Sequence, residues 1–361
     1  MQTKITKCSF EGQEIFVGMD VHKKDCTVTV IAGGMFYKTI TCPPDGGSIA
    51  KYLESNFPGA KYHSVYEAGF SGFWLHKELL QLGINSIIVN PADIPTTDKE
   101  RKQKEDRRDS RKLAKDLCAG QLSGIYVPDE RALDDRSLLR VRESIVKEIR
   151  RSKQRIKSFL SFYGIKISDE YAEPRKHWSR AFIQWIESIS FEHETARQAL
   201  RVHIDSLKYH RNQLLQLSKQ IRTLSRSDRY KGAVDKLITV PGFGVLTCMH
   251  IVTELVDITR FKNFHLLCSY VGFVPGSRSS GDREKTTGIT PRKNHRLRTA
   301  LIESSWTAIR CDPALMRAFL NYTNRMERNK AIVRIAKKLL NRAIHILRSN
   351  EKYEKGIARK K

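Results

Sequence analysis

Two long stretches limit what this chain can fold into. From Arg131 to Tyr163, and again from Phe191 to Arg226, charged residues are interleaved with Leu and Ile, and Gly and Pro are nearly absent. Ile145, Ile149, Ile156 and Leu160 recur at helical steps, as do Leu207, Leu214, Leu217, Ile221 and Leu224. That spacing predicts two long amphipathic helices packed as an antiparallel coiled coil. Such a pair is a spacer or an oligomer contact and carries no chemistry of its own. The chemistry belongs to what precedes and follows it.

The preceding part has a different period. Glu14 to Ile31 holds two β-branched runs flanking a polar turn, which predicts a hairpin. A third strand is expected over Met35–Thr41, a helix over Ser48–Phe57 and a strand over Lys61–Tyr66. A helix follows from Phe73 to Leu82, stopping at Gly83, then a short strand over Asn85–Val89 closed by Asn90-Pro91. The fold class is therefore α/β plus α, beginning with a mixed sheet that carries helices on its faces. After the spacer, from about Asp235, Leu237-Ile-Thr-Val-Pro-Gly-Phe-Gly-Val-Leu-Thr places a Gly-rich turn between two apolar helices. Further helices fill Leu297–Arg310 and Pro313–Leu347, so this region is mostly helical. The expected division is 1–125, 126–232 and 233–350, with a basic tail at 351–361.

Charge narrows the partners. With 65 Lys and Arg against 39 Asp and Glu, the net charge is +26. A chain this basic attracts polyanions, and nucleic acid leads because each neutralised phosphate releases counterions. An apolar run of 18 residues or more is absent, as is a signal-like core at the N-terminus, so no membrane association is expected. The 7 Cys stand singly without a CxxC pair, which fits free thiols in a reducing cytosol better than disulfides or zinc. The expected location is cytoplasmic and nucleoid-associated in a prokaryote.

Three features could carry chemistry. Asp20 interrupts an apolar strand, where a carboxylate is costly unless paired or coordinated. Glu67 ends another strand before Gly69 and Gly72, which would let a substrate approach. Asp106 and Asp109 are three apart on an expected helix and share a face. Four such carboxylates suit Mg²⁺ or Mn²⁺, acting on a phosphate. Each also has a plainer reading: a turn cap for Asp20, a Lys partner for Glu67, and ion pairs with Arg107, Arg108 and Arg111 for the helical pair. The Pro241-Gly242-Phe243-Gly244 turn resembles a helix-hairpin-helix, whose backbone N–H groups grip phosphate, with Gly242 and Gly244 as the close-approach residues. A tight helix connection explains it equally. Last, Val274 to Arg298 reads as a Ser- and Gly-rich loop running into a basic helix. A serine there could attack phosphorus. Arg278, Arg283, Lys285, Arg292, Lys293, Arg296 and Arg298 would contact phosphates, and a basic loop that only touches backbone is the simpler account.

Together these motifs resemble a known family. Gly18-Met-Asp-Val-His-Lys, Tyr66-Glu-Ala-Gly-Phe-Ser-Gly and Lys104-Glu-Asp-Arg-Arg-Asp-Ser look like the carboxylate motifs of DEDD insertion-sequence transposases related to Piv-type invertases. Thr239-Val-Pro-Gly-Phe-Gly and Gly272-Phe-Val-Pro, with Ser279-Ser-Gly and Gly288-Ile-Thr, resemble that family's second region. The resemblance spans roughly residues 15–120 and 235–310, and the order of the motifs makes it specific. It implies an N-terminal RuvC-like domain of RNase H-like fold, with Asp20, Glu67, Asp106 and Asp109 as the metal-holding set. It implies a serine nucleophile, Ser280 first and Ser279 second, linked covalently to DNA. It also implies double-stranded donor and target DNA, a structured noncoding guide RNA, and a homo-oligomer, dimer or tetramer, with sites assembled between chains. The alternative is a metal-only RuvC-like nuclease or resolvase in which water attacks. The chain departs from the pattern where Ser280-Gly281-Asp282-Arg283 replaces Ser-Gly-Gly-Lys and where Thr290-Pro291-Arg292-Lys293-Asn294 lacks a glycine. Glu105 and Ser110 stand where Thr and Ala are common.

Overall fold

Strand β1 (Glu14–Val21) is the spine of the first half of the molecule. Antiparallel β2 (Cys26–Ala32) and β3 (Met35–Cys42) lie on one side of it, and β4 (Lys61–Glu67) and β5 (Asn85–Val89) run parallel on the other. The order is β3-β2-β1-β4-β5, a mixed sheet of the kind expected from the strand pattern. The computed structural model describes residues 9–94, 105–280, 283–290 and 293–355. They form two compact units, divided between Val127 and Pro128.

In the first unit the sheet is covered on both faces. Ile15, Val17 and Met19 of β1, with Val28, Val30, Tyr66 and Ile88, pack against α1 (Gly46–Asn56) and α2 (Trp74–Gln81) through Ile49, Leu53, Leu75 and Leu79. Period-two alternation turns Phe16, Gly18 and Asp20 to the opposite face. There α3 (Asp106–Cys118) lies, and Leu113 joins Val65 and Val89 in a second small core. The helix touches the strand backbone at Gly18: a Cβ placed there would sit 2.1 Å from the Ser110 carbonyl oxygen and 2.3 Å from the Ala114 nitrogen. Ser110, fully buried, ties α3 to the sheet. Its Oγ is 2.8 Å from Thr29 Oγ1, which is in turn 2.8 Å from Thr39 Oγ1. The Ser110 hydroxyl thus finds its partner on β2.

In the second unit, the expected long helices are α4 (Glu130–Phe162) and α6 (Glu194–Ser225). They run antiparallel, with Arg142 Nε donating to Ser218 Oγ and Ser152 Oγ 3.4 Å from His210 Nδ1. The short α5 (Arg180–Glu187) closes their far end, where Phe182 and Ile186 pack with Ile156, Leu160, Leu200 and Ile204. The other core is built by α7 (Asp228–Leu237), α8 (Val245–Leu255), α9 (Phe264–Val271), α10 (His295–Cys311), α11 (Pro313–Thr323) and α12 (Arg328–Ser349). Among the described residues, no helix is long and apolar enough to cross a membrane.

The segment read from sequence as a Ser- and Gly-rich loop is instead a β-hairpin, β6 (Pro275–Ser280) with β7 (Arg283–Ile289). Gly281 and Asp282, which stand between the two strands in the sequence, lie outside the described residues. The hairpin's strands are polar and lack apolar alternation, so the usual strand signal is missing.

Candidate active site

The sheet and α3 meet at one end of the first unit. Asp20 lies two residues beyond Gly18 on the α3 face of β1, about 7 Å further along the strand. Asp106 lies four residues before Ser110, about 6 Å nearer the helix N-terminus. Because Ser110 sits over Gly18, the two carboxylates arrive at the same place from different elements. Between them stands His22. Its Nε2 is 3.2 Å from Asp20 Oδ2 and 3.2 Å from Asp106 Oδ2. The ligand-type atoms of Asp20, His22 and Asp106 all lie within 4.8 Å of one another. The imidazole reaches the site because residues 20 and 22 share a face, while Val21 turns into the opposite core. The chain then reverses through a turn in which the His22 N–H donates to the Asp25 carbonyl at 2.9 Å.

The remaining expected carboxylates flank this group. Parallel register pairs Met19 with Tyr66, so Glu67 at the end of β4 is one step further on, as Asp20 is on β1, and on the same face. The Ala68 N–H donates to the Val89 carbonyl at 2.7 Å, prolonging the pairing past Glu67. Buried Tyr66 braces the turn that follows: its hydroxyl donates to the Gly72 carbonyl and accepts the His76 N–H, both at 3.2 Å. Asp109 stands in the first turn of α3, three residues after Asp106, so its carboxylate also profits from the positive end of the helix. All four carboxylates therefore lie on the α3 side of the sheet. Asp20 and Asp106 belong to the tight group with His22, while Glu67 shares Asp20's face of the sheet and Asp109 shares Asp106's helix.

The donor set fits a divalent cation. Two carboxylates of opposite elements meet where each would otherwise repel the other, and the inserted atom is a nitrogen donor. His22 Nε2 is sheltered from solvent and makes no aligned hydrogen bond, although two acceptors are close by. Cys26 is not part of the group: it pairs with Val21 and lies in the opposite core, where burial, with Cys42, Asp20 and Asp25 adding to it, pushes its thiol up. His22 was not among the candidate residues legible in the sequence. Its signal was the i, i+2 spacing from Asp20 on a strand.

The second unit holds the other expected residues. Ser279 and Ser280 end β6, opposite Glu284 and Arg283 of β7. Their side chains, and those of Arg278, Arg283 and Lys285, lie outside the description, as does Arg292. The base of the hairpin is fixed. The Thr290 N–H donates to the Val274 carbonyl, and the Asn294 N–H to the Tyr270 carbonyl. Asn294 then caps α10 through the Leu297 N–H and donates from Nδ2 to Glu254 at 3.0 Å. Glu254, 2% exposed, is also 3.4 Å from Arg140 and 3.7 Å from Arg136, as a buried charge requires. Lys293 is exposed. Arg296 lies 2.8 Å from Glu143, and Arg298 donates to the Thr290 carbonyl, so both are partly engaged within the chain. At the Gly-rich turn, Gly242 has φ +84° and its missing Cβ would fall 2.2 Å from the Ser304 carbonyl oxygen. That glycine lets the turn lie directly on α10. Gly244 caps α8 and has open space around it.

Comparison with known proteins points to one kind of enzyme for both parts of the chain. Residues 17–165 match the family model for DEDD transposases of the IS110 type, described as "Transposase". Residues 234–321 match the model described as "Transposase IS116/IS110/IS902 family". A putative transposase of Sinorhizobium fredii is 29% identical over 301 residues, covering 82% of this chain and 72% of that protein. The transposase for insertion sequence element IS1533 of Leptospira borgpetersenii is 26% identical over 306 residues, covering 81% and 85%. The pilin gene-inverting protein of Moraxella bovis is 25% identical over 197 residues, covering 51% and 57%.

Proposed function

We propose that this chain is a transposase of the IS116/IS110/IS902 type that cuts and rejoins DNA with a metal-holding carboxylate cluster and a serine nucleophile. The observation that carries the metal half is the convergence of Asp20 and Asp106 on one imidazole. Asp20 and Asp106 would hold the ion, with Glu67 and Asp109 completing the set. A bound Mg²⁺ or Mn²⁺ would supply Lewis-acid stabilisation of charge on the phosphate oxygens. The buried core behind β1 and the Ser110–Thr29–Thr39 hydroxyl chain hold the two aspartates in register without the ion.

The serine half rests on Ser280 and Ser279 at the end of a hairpin whose base is anchored by Asn294 and Glu254. Ser280 Oγ would form a bond to phosphorus while a P–O bond of the DNA strand breaks, with the serine proton passing to a base and the departing oxygen protonated. Reversal with a different strand end restores the serine and rejoins the DNA. The basic residues of β6, β7 and α10 would hold phosphates nearby.

Wild-type protein incubated with its element DNA and then denatured is expected to yield a covalent protein–DNA adduct. Ser280→Ala should lose it and Ser279→Ala should keep it. Cutting without an adduct in the wild type would rule the serine out and favour water as nucleophile, and an adduct that survives both substitutions would assign the attack to another side chain.

Target choice by a structured noncoding RNA, and action as a dimer or tetramer, are what the motif resemblance implies, and the +26 charge suits polyanionic partners in general. RNA recovered from the purified protein and sequenced is expected to be one discrete species encoded beside the gene. Recovery of only random cellular RNA would remove the guide from this reading.

A further inference from the structure

We propose that His22 is itself a metal ligand, so that the ion held by Asp20 and Asp106 carries one nitrogen donor and the site favours Mn²⁺ over Mg²⁺. This rests on the reading that the cluster holds a divalent ion, and it goes beyond the four carboxylates that reading invokes.

The geometry separates a ligand from an ordinary ion pair. A ring nitrogen bears at most one hydrogen, and that hydrogen points in one direction. A histidine serving as ion-pair partner therefore aligns on one carboxylate oxygen. His22 Nε2 instead stands 3.2 Å from each of two oxygens, on two different elements, and aligns a hydrogen bond with neither. Neighbouring ligands of an octahedral ion with bonds near 2.1 Å are about 3 Å apart, close to the 3.2 Å from Nε2 to each of the two oxygens. The ring is also placed by the fold. Val21 is buried on the opposite face, and the turn hydrogen bond from the His22 N–H to Asp25 fixes the backbone on its far side.

The nitrogen has a consequence for metal choice. Mg²⁺ prefers oxygen ligands and keeps its water, whereas imidazole suits the transition ions. Among ions that also accept two carboxylates in octahedral geometry, Mn²⁺ fits the mixed set. An all-carboxylate site on the same fold would discriminate less between the two.

The test uses the full chain and Mn²⁺ alone, read by electron paramagnetic resonance. Wild type is expected to bind Mn²⁺, with Asp20→Asn weakening binding, and pulsed spectra should show ¹⁴N coupling from a directly bound imidazole. His22→Ala should lose that coupling and weaken Mn²⁺ on the order of tenfold, while changing Mg²⁺ affinity less. Mn²⁺ bound in an Asp20-dependent way but without ¹⁴N coupling would overturn the proposal and leave the carboxylate site standing. Coupling that persists in His22→Ala would overturn it too. Binding insensitive to Asp20→Asn would overturn the metal site itself, and the proposal with it. The wild-type spectrum decides the matter even if His22→Ala folds poorly.

Discussion

Asp20→Asn is expected to lower DNA strand cutting by about three orders of magnitude while leaving DNA binding nearly intact. The substitution keeps the shape of the side chain and removes one of the two charges that meet at His22. Loss of roughly 4 kcal/mol of transition-state stabilisation, ordinary for a disabled metal site, corresponds to that factor. DNA binding draws on the basic residues, so a mobility-shift assay should register little change. Stability gives an independent reading. Two carboxylates converging on one point repel each other until a cation separates them. Adding Mn²⁺ should therefore raise the wild-type melting temperature, by about 2.7 kcal/mol of stabilisation at a hundred times the dissociation constant. The Asn variant, relieved of part of that repulsion, should melt no lower than wild type without metal and gain little when metal is added. A variant that cuts at the wild-type rate in a plasmid assay would show that this cluster does not carry the chemistry.

Much of this site was legible because strands announce themselves by alternation. The β-branched run through Glu14–Val21 marked β1, and the break in it at Asp20 marked a carboxylate that had to be coordinated or exposed. Glu67 was legible from its place before two glycines, and Asp106 with Asp109 from helical spacing. The two long helices lie within a residue or so of the expected Arg131–Tyr163, and within three of Phe191–Arg226, because seven-residue periodicity over that length admits little else. What could not be read depended on contacts far apart in the chain. His22 resembles any histidine in a turn until α3 brings Asp106 to it. Gly242 read as a possible phosphate-gripping residue, and its close approach to Ser304 became visible only once α10 lay across the turn. The hairpin β6–β7 escaped because its sequence carries no alternating apolar residues, and strand pairing without that alternation leaves almost no trace in composition.

Gly18 shows how such a hidden contact governs the site, and Gly18→Ala is expected to be among the most damaging single changes in the first unit. The added methyl would lie 2.1 Å from the Ser110 carbonyl oxygen, 2.3 Å from the Ala114 nitrogen and 2.9 Å from its Cα. All three are backbone atoms of α3, so no side chain can rotate away. The helix must lift from β1, which strains the Thr29–Ser110 hydrogen bond and opens the small core around Val65, Val89 and Leu113. Overpacking of this kind costs about 3 kcal/mol, enough to lower the melting temperature of a unit this size by on the order of 10 °C. The functional loss should exceed the loss of stability. α3 carries Asp106 and Asp109, while Asp20 and His22 stay on the sheet, so any lift separates the two halves of the ligand set. Below its lowered melting temperature, Gly18→Ala should bind Mn²⁺ at least tenfold more weakly than wild type and lose strand cutting in proportion. Ala114→Gly, tested in the same background, removes a methyl from the helix but none of the three clashing backbone atoms, and should restore little. Wild-type Mn²⁺ affinity in a destabilised Gly18→Ala protein would mean that α3 does not set the spacing of the site.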